Sequence, residues 1–314
     1  MIKLYNILLL GVFIIFLGCK DKNTAESNNN ELVLPIINSI GDSNKIEIVT
    51  WNIEHFPKTD NSDVYVKTIF EGLDADIYIL QEIQSESKFA SMLGEMENYN
   101  YLLHKNRTGL GLAIVYKTDI IKIKNSYDLF EDDDHFFAGR PPLLTKIEWQ
   151  ANGLSKELTI INLHLKCCGD NKIEIGNNED EEYRRVIACH LLHNYVIDYL
   201  KNDNVIVVGD WNDAIQEPDS TNIFQVFIDD FLNFKFADME IASGDKANWS
   251  WQGWSSSYSA IHFDHILISN NLFDEFENSS LVESIKIDEL FENGSSEYDN
   301  NISDHRPVYF KFNP

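Results

Sequence analysis

Short apolar runs recur along the chain and predict a series of β-strands. Residues 45–51 alternate polar and apolar side chains, the period-two pattern of a strand. Residues 143–149 and 157–165 are similar, and Asn152-Gly153 between them is a dipeptide typical of a hairpin turn. Further strands are predicted over residues 76–80, 110–117, 205–208, 261–268 and 307–312.

Helical periodicity appears between some of these strands. The clearest case is residues 181–200, where apolar side chains recur at helical spacing. Shorter helices are predicted over residues 64–73 and 86–97. No internal repeat interrupts the alternation of strands and helices. The pattern therefore indicates one α/β domain over residues 44–314.

The N-terminus has the features of an export signal. Lys3 precedes an apolar run over residues 7–17, which is shorter than the ~20 residues of a membrane span but suits a signal peptide. Phe16-Leu17-Gly18-Cys19 resembles a relaxed bacterial lipobox. We therefore predict a signal peptide over residues 1–18 and a lipidated polar tether over 19–43. The expected location is the bacterial cell envelope, lipid-anchored at the outer membrane or cell surface, or outside the cell after simple cleavage.

The charge balance is strongly acidic. The formal net charge is −26, and removal of residues 1–18 would delete only Lys3, leaving 24 basic against 51 acidic residues, or −27. Such a surface repels polyanions at long range, which counts against nucleic acid as a partner. Acidic loops at residues 131–134 and 179–182 are explained as solvated loops, with a structural Ca²⁺ site as the sharper alternative.

Four cysteines are present. If Cys19 is acylated, Cys167, Cys168 and Cys189 remain, so at most one internal disulfide can form. A bond from Cys167 or Cys168 to Cys189, a vicinal pair, and free thiols are the three alternatives.

Polar side chains recur at the ends of the predicted strands. The carboxyl ends of strands in α/β proteins gather at one rim, where ligands bind. One such residue would be unremarkable, but six strands carry them, which indicates a site. The residues are Asn52, Glu82, Asn162 with His164, Asp210 with Asn212, Asp264, and Asp304 with His305.

These residues lie in ordered motifs that resemble those of the endonuclease/exonuclease/phosphatase (DNase I-like) superfamily, over residues 46–312. The resemblance implies a four-layer α/β sandwich in which two mixed β-sheets pack face to face with helices outside. The motifs are Trp51-Asn52-Ile53-Glu54, Leu80-Gln81-Glu82, Asn162-Leu163-His164, Gly209-Asp210-Trp211-Asn212, Phe263-Asp264-His265-Ile266-Leu267 and Ser303-Asp304-His305-Arg306-Pro307-Val308.

The resemblance also implies a metal site. A divalent cation, Mg²⁺ or Mn²⁺, offsets the charge that grows on a phosphodiester during cleavage, and Mg²⁺ prefers oxygen ligands. By analogy Glu82 is the principal ligand, with Asn52 and Asp304 nearby. Glu54 is an additional candidate.

The remaining motif residues are assigned catalytic roles by the same resemblance. His305 takes the proton from the attacking water and Asp264 orients it. Asp210 and Asn212 position the nucleophile and a phosphate oxygen. In the nuclease branch His164 protonates the leaving oxygen. Arg140, followed by two prolines, resembles a phosphate-binding arginine of secreted DNase-type members.

Three functions are compatible with this sequence. The first is a secreted or surface-anchored nuclease with DNA or RNA as substrate. The second is a lipid-directed phosphodiesterase, such as a sphingomyelinase-like enzyme, or another phosphatase of the superfamily. The third is a catalytically inactive binding lipoprotein, against which the intact set of site residues argues. No feature of the sequence indicates an obligate protein partner.

Overall fold

A computed structural model describes residues 32–253 and 259–314. Residues 34–314 form a compact unit. The predicted signal peptide and Cys19 lie outside the described residues. The last part of the predicted tether packs on the domain, because the backbone N–H of Ile40 donates to the carbonyl oxygen of Leu73 at 2.9 Å.

The described part of the chain contains twelve strands, named in chain order, in two sheets of six strands each. They are β1 (Ile46–Phe56), β2 (Ile77–Ile83), β3 (Tyr99–His104), β4 (Gly111–Lys117), β5 (Ile121–Asp128), β6 (Leu143–Ala151), β7 (Leu154–His164), β8 (Val205–Asp210), β9 (Phe234–Phe236), β10 (Asp264–Ser269), β11 (Leu281–Ser284) and β12 (Val308–Phe312). The first sheet has the order β11-β12-β1-β2-β4-β3 and the second the order β5-β6-β7-β8-β10-β9.

Seven α-helices surround the sheets in the described part of the chain. Four short 3₁₀ helices lie in the connections. Among residues 32–253 and 259–314, no helix has both the length and the apolar character needed to cross a membrane. The α-helices are α1 (Ser62–Leu73), α2 (Glu86–Leu93), α3 (Glu181–Tyr199), α4 (Gln225–Asp229), α5 (Met239–Ala242), α6 (Phe273–Glu277) and α7 (Ser295–Asn301).

Each sheet contains one parallel pair that sets the position of the site. β1 and β2 are parallel and joined through α1, and β7 and β8 are parallel and joined through α3. The other pairs are antiparallel, so both sheets are mixed. Each parallel pair brings two strand ends to the same edge of its sheet, where the motif residues follow.

The two sheets face each other across a core of aliphatic side chains. Ile46 and Ile48 of the first sheet belong to the same buried cluster as Ile206 and Val208 of the second. On the outer side of the second sheet, apolar residues of α3 pack with the alternate residues of β8. Because both faces of β8 are buried, its sequence is a nearly continuous apolar run. The predicted sandwich of two mixed sheets with helices around them is confirmed.

Most predicted elements are present, with differences at the edges. The hairpin turn at Asn152-Gly153 is confirmed, with both residues at positive φ, 53° and 79°. α2 ends at Leu93, earlier than predicted, because the chain turns at Gly94. β3, β5, β9 and β11 were not predicted. β3 is an edge strand with half-buried side chains, so its pairing with β4, rather than an apolar pattern, defines it.

Gly209 lets β7 and β8 approach closely beneath the site. It pairs with Leu163 and has φ of +144°. A Cβ atom there would lie 2.0 Å from the carbonyl oxygen of Leu163, so any side chain would push the strands apart. The glycine thereby holds the next pair, His164 and Asp210, in register at the rim.

Candidate active site

Asn52 joins the two sheets at the rim. Its Nδ2 donates to Oε1 of Glu82 at 3.2 Å and to Oδ2 of Asp210 at 2.9 Å. Its Oδ1 accepts from the backbone N–H of Glu54 at 3.0 Å. The ends of β1, β2 and β8 therefore meet through one buried amide.

A second amide pair lies beneath it and bridges the sheets. Nε2 of Gln81 donates to Oδ1 of Asn162 at 2.8 Å, and Nδ2 of Asn162 donates to the carbonyl oxygens of Leu80 and Ala113, both at 3.0 Å. A paired polar bridge in a dry core fixes the register of the two sheets, since any slip would leave these groups unpaired.

Four residues at this rim have an unfavourable backbone conformation. Glu54, His55, Glu82 and Asn212 have φ of 33°, 50°, 65° and 56°. Positive φ is unfavourable for residues other than glycine, and such residues cluster at functional sites where the surrounding structure holds them. Three of the four lie in motifs that the sequence singled out.

His305 and Asp264 form a buried pair. Nδ1 of His305 lies 2.7 Å from Oδ2 of Asp264. Nε2 of His305 points towards the rim, 3.9 Å from Oδ2 of Asp210 and 3.8 Å from Oδ1 of Asp304. Burial lowers the pKa of His305, but the carboxylates of Asp264, Asp304 and Asp210 outweigh it and raise the pKa well above the usual value.

The backbone at His305 is held from several sides. Its carbonyl oxygen accepts from Trp51 Nε1 at 3.0 Å and from the Tyr298 hydroxyl at 2.5 Å. Its N–H donates to Ser303 Oγ, which donates in turn to the carbonyl oxygen of Asn52 at 2.6 Å. The imidazole is therefore fixed relative to the first sheet before any substrate binds.

His164 lies on the other side of the rim carboxylates. Its Nε2 is 3.5 Å from Oδ2 of Asp210 and 3.7 Å from Oε1 of Glu82, while Nδ1 has no hydrogen-bond partner among the described residues. Burial, followed by the positive charges of Arg140 and His305, holds its pKa well below the usual value. This environment favours the neutral imidazole.

Asp210 is the most central carboxyl group. Burial raises its pKa to about 7, since the charge of His305 only partly offsets the desolvation and the nearby carboxylates. Its Oδ1 accepts from the backbone N–H of Asn212 at 2.9 Å. Nδ2 of Asn212 reaches the carbonyl oxygen of Leu165 at 3.2 Å.

The residues predicted to bind metal contribute only oxygen donors. Asn52 and Glu82 are in direct contact, whereas Asp304 is connected through Glu54, whose Oε2 accepts from its backbone N–H at 2.9 Å. Oδ2 of Asp304 accepts from Trp251 Nε1 at 2.8 Å. An all-oxygen donor set with several negative charges fits a hard divalent cation.

Residues 49–305 match the profile of the Endonuclease/Exonuclease/phosphatase family. The chain belongs to the endonuclease/exonuclease/phosphatase family. No curated protein matches the sequence.

Solved structures of family members share the fold. TDP2 from D. rerio, described as complexed with single strand DNA product, has a TM-score of 0.61 and 15% identity over 86% of this chain and 99% of its own. An endonuclease/exonuclease/phosphatase from Bacteroides vulgatus gives 0.57 and 13% over 85% and 98%. The human Nocturnin catalytic domain, with bound sulfate, gives 0.55 and 14% over 85% and 93%.

Arg140 occupies an unexpected position for a family phosphate clamp. It is only 7% exposed. Its Nε donates to the carbonyl oxygen of His164 at 3.0 Å and its Nη2 to that of Leu165 at 2.6 Å. Two of its three nitrogens therefore hold the backbone beside His164, and direct substrate contact stays a prediction.

Sequence reasoning missed a second polar cluster behind β10. Nδ1 of His265 lies 2.6 Å from Oδ2 of Asp238, and its Nε2 lies 2.9 Å from the carbonyl oxygen of Asp213. His262 Nε2 is 3.1 Å from the same Oδ2 of Asp238. The adjacency of Asp264 and His265 at the start of β10 was the available signal for His265, because neighbouring residues of a strand face opposite sides.

The acidic segment at residues 179–182 lies at the start of α3. Asp180 caps α3 through the backbone N–H of Tyr183, and carboxylate oxygens of Asp180, Glu181 and Glu182 lie within 4.8 Å of one another. A structural Ca²⁺ there stays a prediction.

The three described cysteines are free. Cys189 is buried in α3, whereas Cys167 and Cys168 are exposed, so the disulfide considered between one of them and Cys189 is wrong. The α3 packing places Cys189 in the core between the helix and the second sheet.

Proposed function

We propose that this chain is a divalent-metal-dependent phosphodiesterase that cleaves DNA or RNA. The observation that carries the proposal is the open ring nitrogen of the His305–Asp264 pair. It faces a rim where oxygen donors from both sheets meet at Asn52. Hydrolysis of a phosphodiester needs a proton acceptor beside a site where negatively charged oxygens can hold a cation.

Glu82, Asn52 and Asp304 would hold the cation, with Glu54 beside them. When bound, the cation supplies positive charge against the negative charge that develops on the phosphoryl oxygens. Lys58 forms an ion pair with Glu54 and lies 3.1 Å from Asp299, which holds the Glu54 side chain next to the backbone of Asp304.

His305 would accept the proton of the attacking water at Nε2. Asp264, bonded to Nδ1, keeps the ring in this orientation and stabilises the imidazolium that forms. Asp210 and Asn212 would position the water and one phosphate oxygen, since both approach the rim from the end of β8.

His164 would act on the leaving side. Its Nε2 faces the carboxylates of Asp210 and Glu82, so the tautomer with the proton on Nε2 is favoured. Because its pKa is held low, it meets the phosphate as a neutral donor. Proton transfer from His164 to the leaving oxygen stays a prediction.

Nucleic acid is the preferred substrate class. The neighbouring TDP2 structure is described as a complex with single strand DNA product. The net charge of −26 favours the second candidate, a lipid-directed phosphodiesterase, because an acidic surface repels a polyanion. Divalent ions and salt screen that repulsion, and local contact requires only the positive groups at the rim.

The substrate test is a panel assay of the full chain with Mg²⁺, Mn²⁺ or Ca²⁺. The substrates are plasmid DNA, RNA, sphingomyelin vesicles and bis-p-nitrophenyl phosphate. We expect cleavage of a polymer, with a shallow dependence on salt because an acidic protein neutralises few phosphates and so releases few counterions from the nucleic acid. Hydrolysis of sphingomyelin without cleavage of either polymer under any metal would assign the lipid-directed function.

Metal dependence is tested separately by chelation and by Glu82→Gln. Chelation should abolish turnover, and Mg²⁺ or Mn²⁺ should restore it. Glu82→Gln should weaken Mn²⁺ binding in calorimetry while the fold survives. Glu95→Gln, an exposed carboxylate that contacts Lys67, is the matched control. Full activity in excess chelator would rule out the metal assignment.

We further propose that the enzyme is anchored to the cell envelope by a lipid on Cys19. The lipobox-like segment at residues 16–19 and the polar residues after it support this location. Cys19→Ser should move the protein from the membrane fraction to the soluble fraction. If labelled fatty acid does not label the wild-type chain, the anchor is absent.

A further inference from the structure

Two neighbouring thiols lie on the loop that leaves the active site. Cys167 and Cys168 follow His164 by three and four positions, and both are exposed. Their sulfur atoms are 3.0 Å apart, and Nζ of Lys166 lies 3.9 Å from Sγ of Cys167. Two exposed sulfur atoms at this distance are both accessible to one external disulfide.

The backbone of this loop is tied to the site by two buried arginines. Nη1 of Arg185 donates to the carbonyl oxygens of Lys166 at 2.7 Å and of Cys168 at 2.8 Å, and its Nε donates to Oδ2 of Asp213 at 2.9 Å. Leu165 is held by Arg140 at its carbonyl oxygen. A conformational change in the peptide between the two cysteines would therefore disturb the segments that follow β7 and β8, which the two arginines hold.

The same loop touches a predicted catalytic residue. The carbonyl oxygen of Leu165 also accepts from Nδ2 of Asn212 at 3.2 Å, and the N–H of Leu165 donates to the carbonyl oxygen of Asp210 at 2.9 Å. These contacts fix the positions of Asp210 and Asn212 relative to the two thiols.

We propose that Cys167 and Cys168 are a reversible modification site, in which an external disulfide of the glutathione class oxidises them to a vicinal disulfide that lowers activity. The loss of activity rests on the proposed phosphodiesterase function, whereas formation of the bond does not. Cys168 has φ of +70°, and the Cα atoms of adjacent residues are closer than the usual span of a disulfide. Ring closure therefore requires the peptide between the two cysteines to change conformation, which disturbs the flanking carbonyl oxygens of Lys166 and Cys168 that Arg185 binds.

The chemistry balances as two exchange steps. The thiolate of Cys167 attacks the external disulfide, forming a mixed disulfide and releasing one thiolate. The thiolate of Cys168 then attacks Sγ of Cys167, forming the internal bond and releasing the second thiolate. The two protons of the protein thiols leave with the two released thiols, so the protein loses two electrons and the oxidant gains them.

The test treats the full chain with glutathione disulfide and follows mass and activity in parallel. We expect the peptide that contains Cys167 and Cys168 to lose two hydrogen atoms and to resist alkylation. Activity should fall by about tenfold, the effect of losing one hydrogen bond to a charged group, and dithiothreitol should restore it.

Matched variants separate the site from other effects. Cys168→Ser should keep the reduced-state activity and carry only a glutathione adduct after oxidation. Cys189→Ser, which alters the buried thiol, should respond like the wild type. A stable glutathione adduct on the wild type, or an intermolecular dimer, would overturn the site. An internal bond without a change in activity would overturn the coupling. If the wild type has no activity even when reduced, the proposed function fails, while the mass result still decides whether the bond forms.

Discussion

Two buried His–Asp pairs lie on opposite faces of β10 and differ in one respect. In His265–Asp238 both ring nitrogens face acceptors, a carboxylate at 2.6 Å and a backbone carbonyl at 2.9 Å. In His305–Asp264, among residues 32–253 and 259–314, only Nδ1 is bonded, and the nearest carboxylate oxygens to Nε2 lie at 3.8 and 3.9 Å. The first pair is closed and the second is open.

This difference distinguishes a pair that stabilises the fold from a pair that can take part in a reaction. A carbonyl oxygen only accepts, so His265 must donate from both nitrogens and is held as an imidazolium. It has no lone pair left for a reaction. Nε2 of His305 has no acceptor within hydrogen-bond distance among the described residues, so a proton can be exchanged there with a group at the rim. A histidine paired with an aspartate is therefore a catalytic candidate only where its second nitrogen reaches the site.

The largest effect is expected from variants that break the open pair, His305–Asp264. His305→Ala and Asp264→Asn should each reduce the rate by about 10²- to 10⁴-fold, the range for general acid–base catalysis. The double variant should be little worse than either single variant, because the two residues act as one unit. Turnover of bis-p-nitrophenyl phosphate under saturating Mn²⁺ is the measurement, and additive losses would show that Asp264 does not orient His305.

Breaking the closed pair should affect stability instead. His265→Leu leaves the buried carboxylate of Asp238 without its cation, which should lower the free energy of unfolding by about 3–5 kcal/mol. Urea denaturation measures it, with His190→Leu on the exposed face of α3 as control. A loss no larger than that of the control would show that the pair does not stabilise the fold.

The pH dependence sharpens this comparison. The pKa of Asp238 is lowered in the fold and that of His265 is raised, where for both groups burial is outweighed by their mutual attraction. The ion pair should therefore stabilise fully between about pH 4 and 6.5, the usual values of the two groups. The difference between wild type and His265→Leu should shrink as pH rises through the raised pKa of His265, and also as pH falls through the lowered pKa of Asp238.

The smallest expected effect concerns Arg140, which supports the backbone of His164. Arg140→Ala should reduce turnover by about tenfold on polymer and small substrate alike, because it removes hydrogen bonds from a charged group to that backbone. Arg107→Ala, which removes a partly exposed ion pair with Asp134, is the matched control. A loss confined to plasmid DNA or RNA would instead assign Arg140 to direct phosphate contact, as the family resemblance implies.

Much of the fold could be predicted because its central strands are buried on both faces. In the sequence β8 is an apolar run that ends in a polar motif residue, β10 is one that begins with such residues, and β1 alternates polar and apolar residues up to its motif, so few alternatives remain. Edge strands such as β3 and β11 could not be predicted, since half-exposed side chains carry no strong pattern and the partner strand defines them.

The sequence by itself determined the family motifs, their order, and the chemical types of the site: oxygen donors, two histidines and their carboxylates. Only the tertiary structure decided which groups are paired. Asp264 and His265 are adjacent in the chain, yet the pleat of β10 sends one to His305 and the other to Asp238. The sequence predicts Arg140 as a phosphate-binding side chain, whereas in the fold its guanidinium donates hydrogen bonds to backbone carbonyl oxygens. Hydrogen-bond partners depend on distances between residues far apart in the chain, and local pattern does not encode those distances.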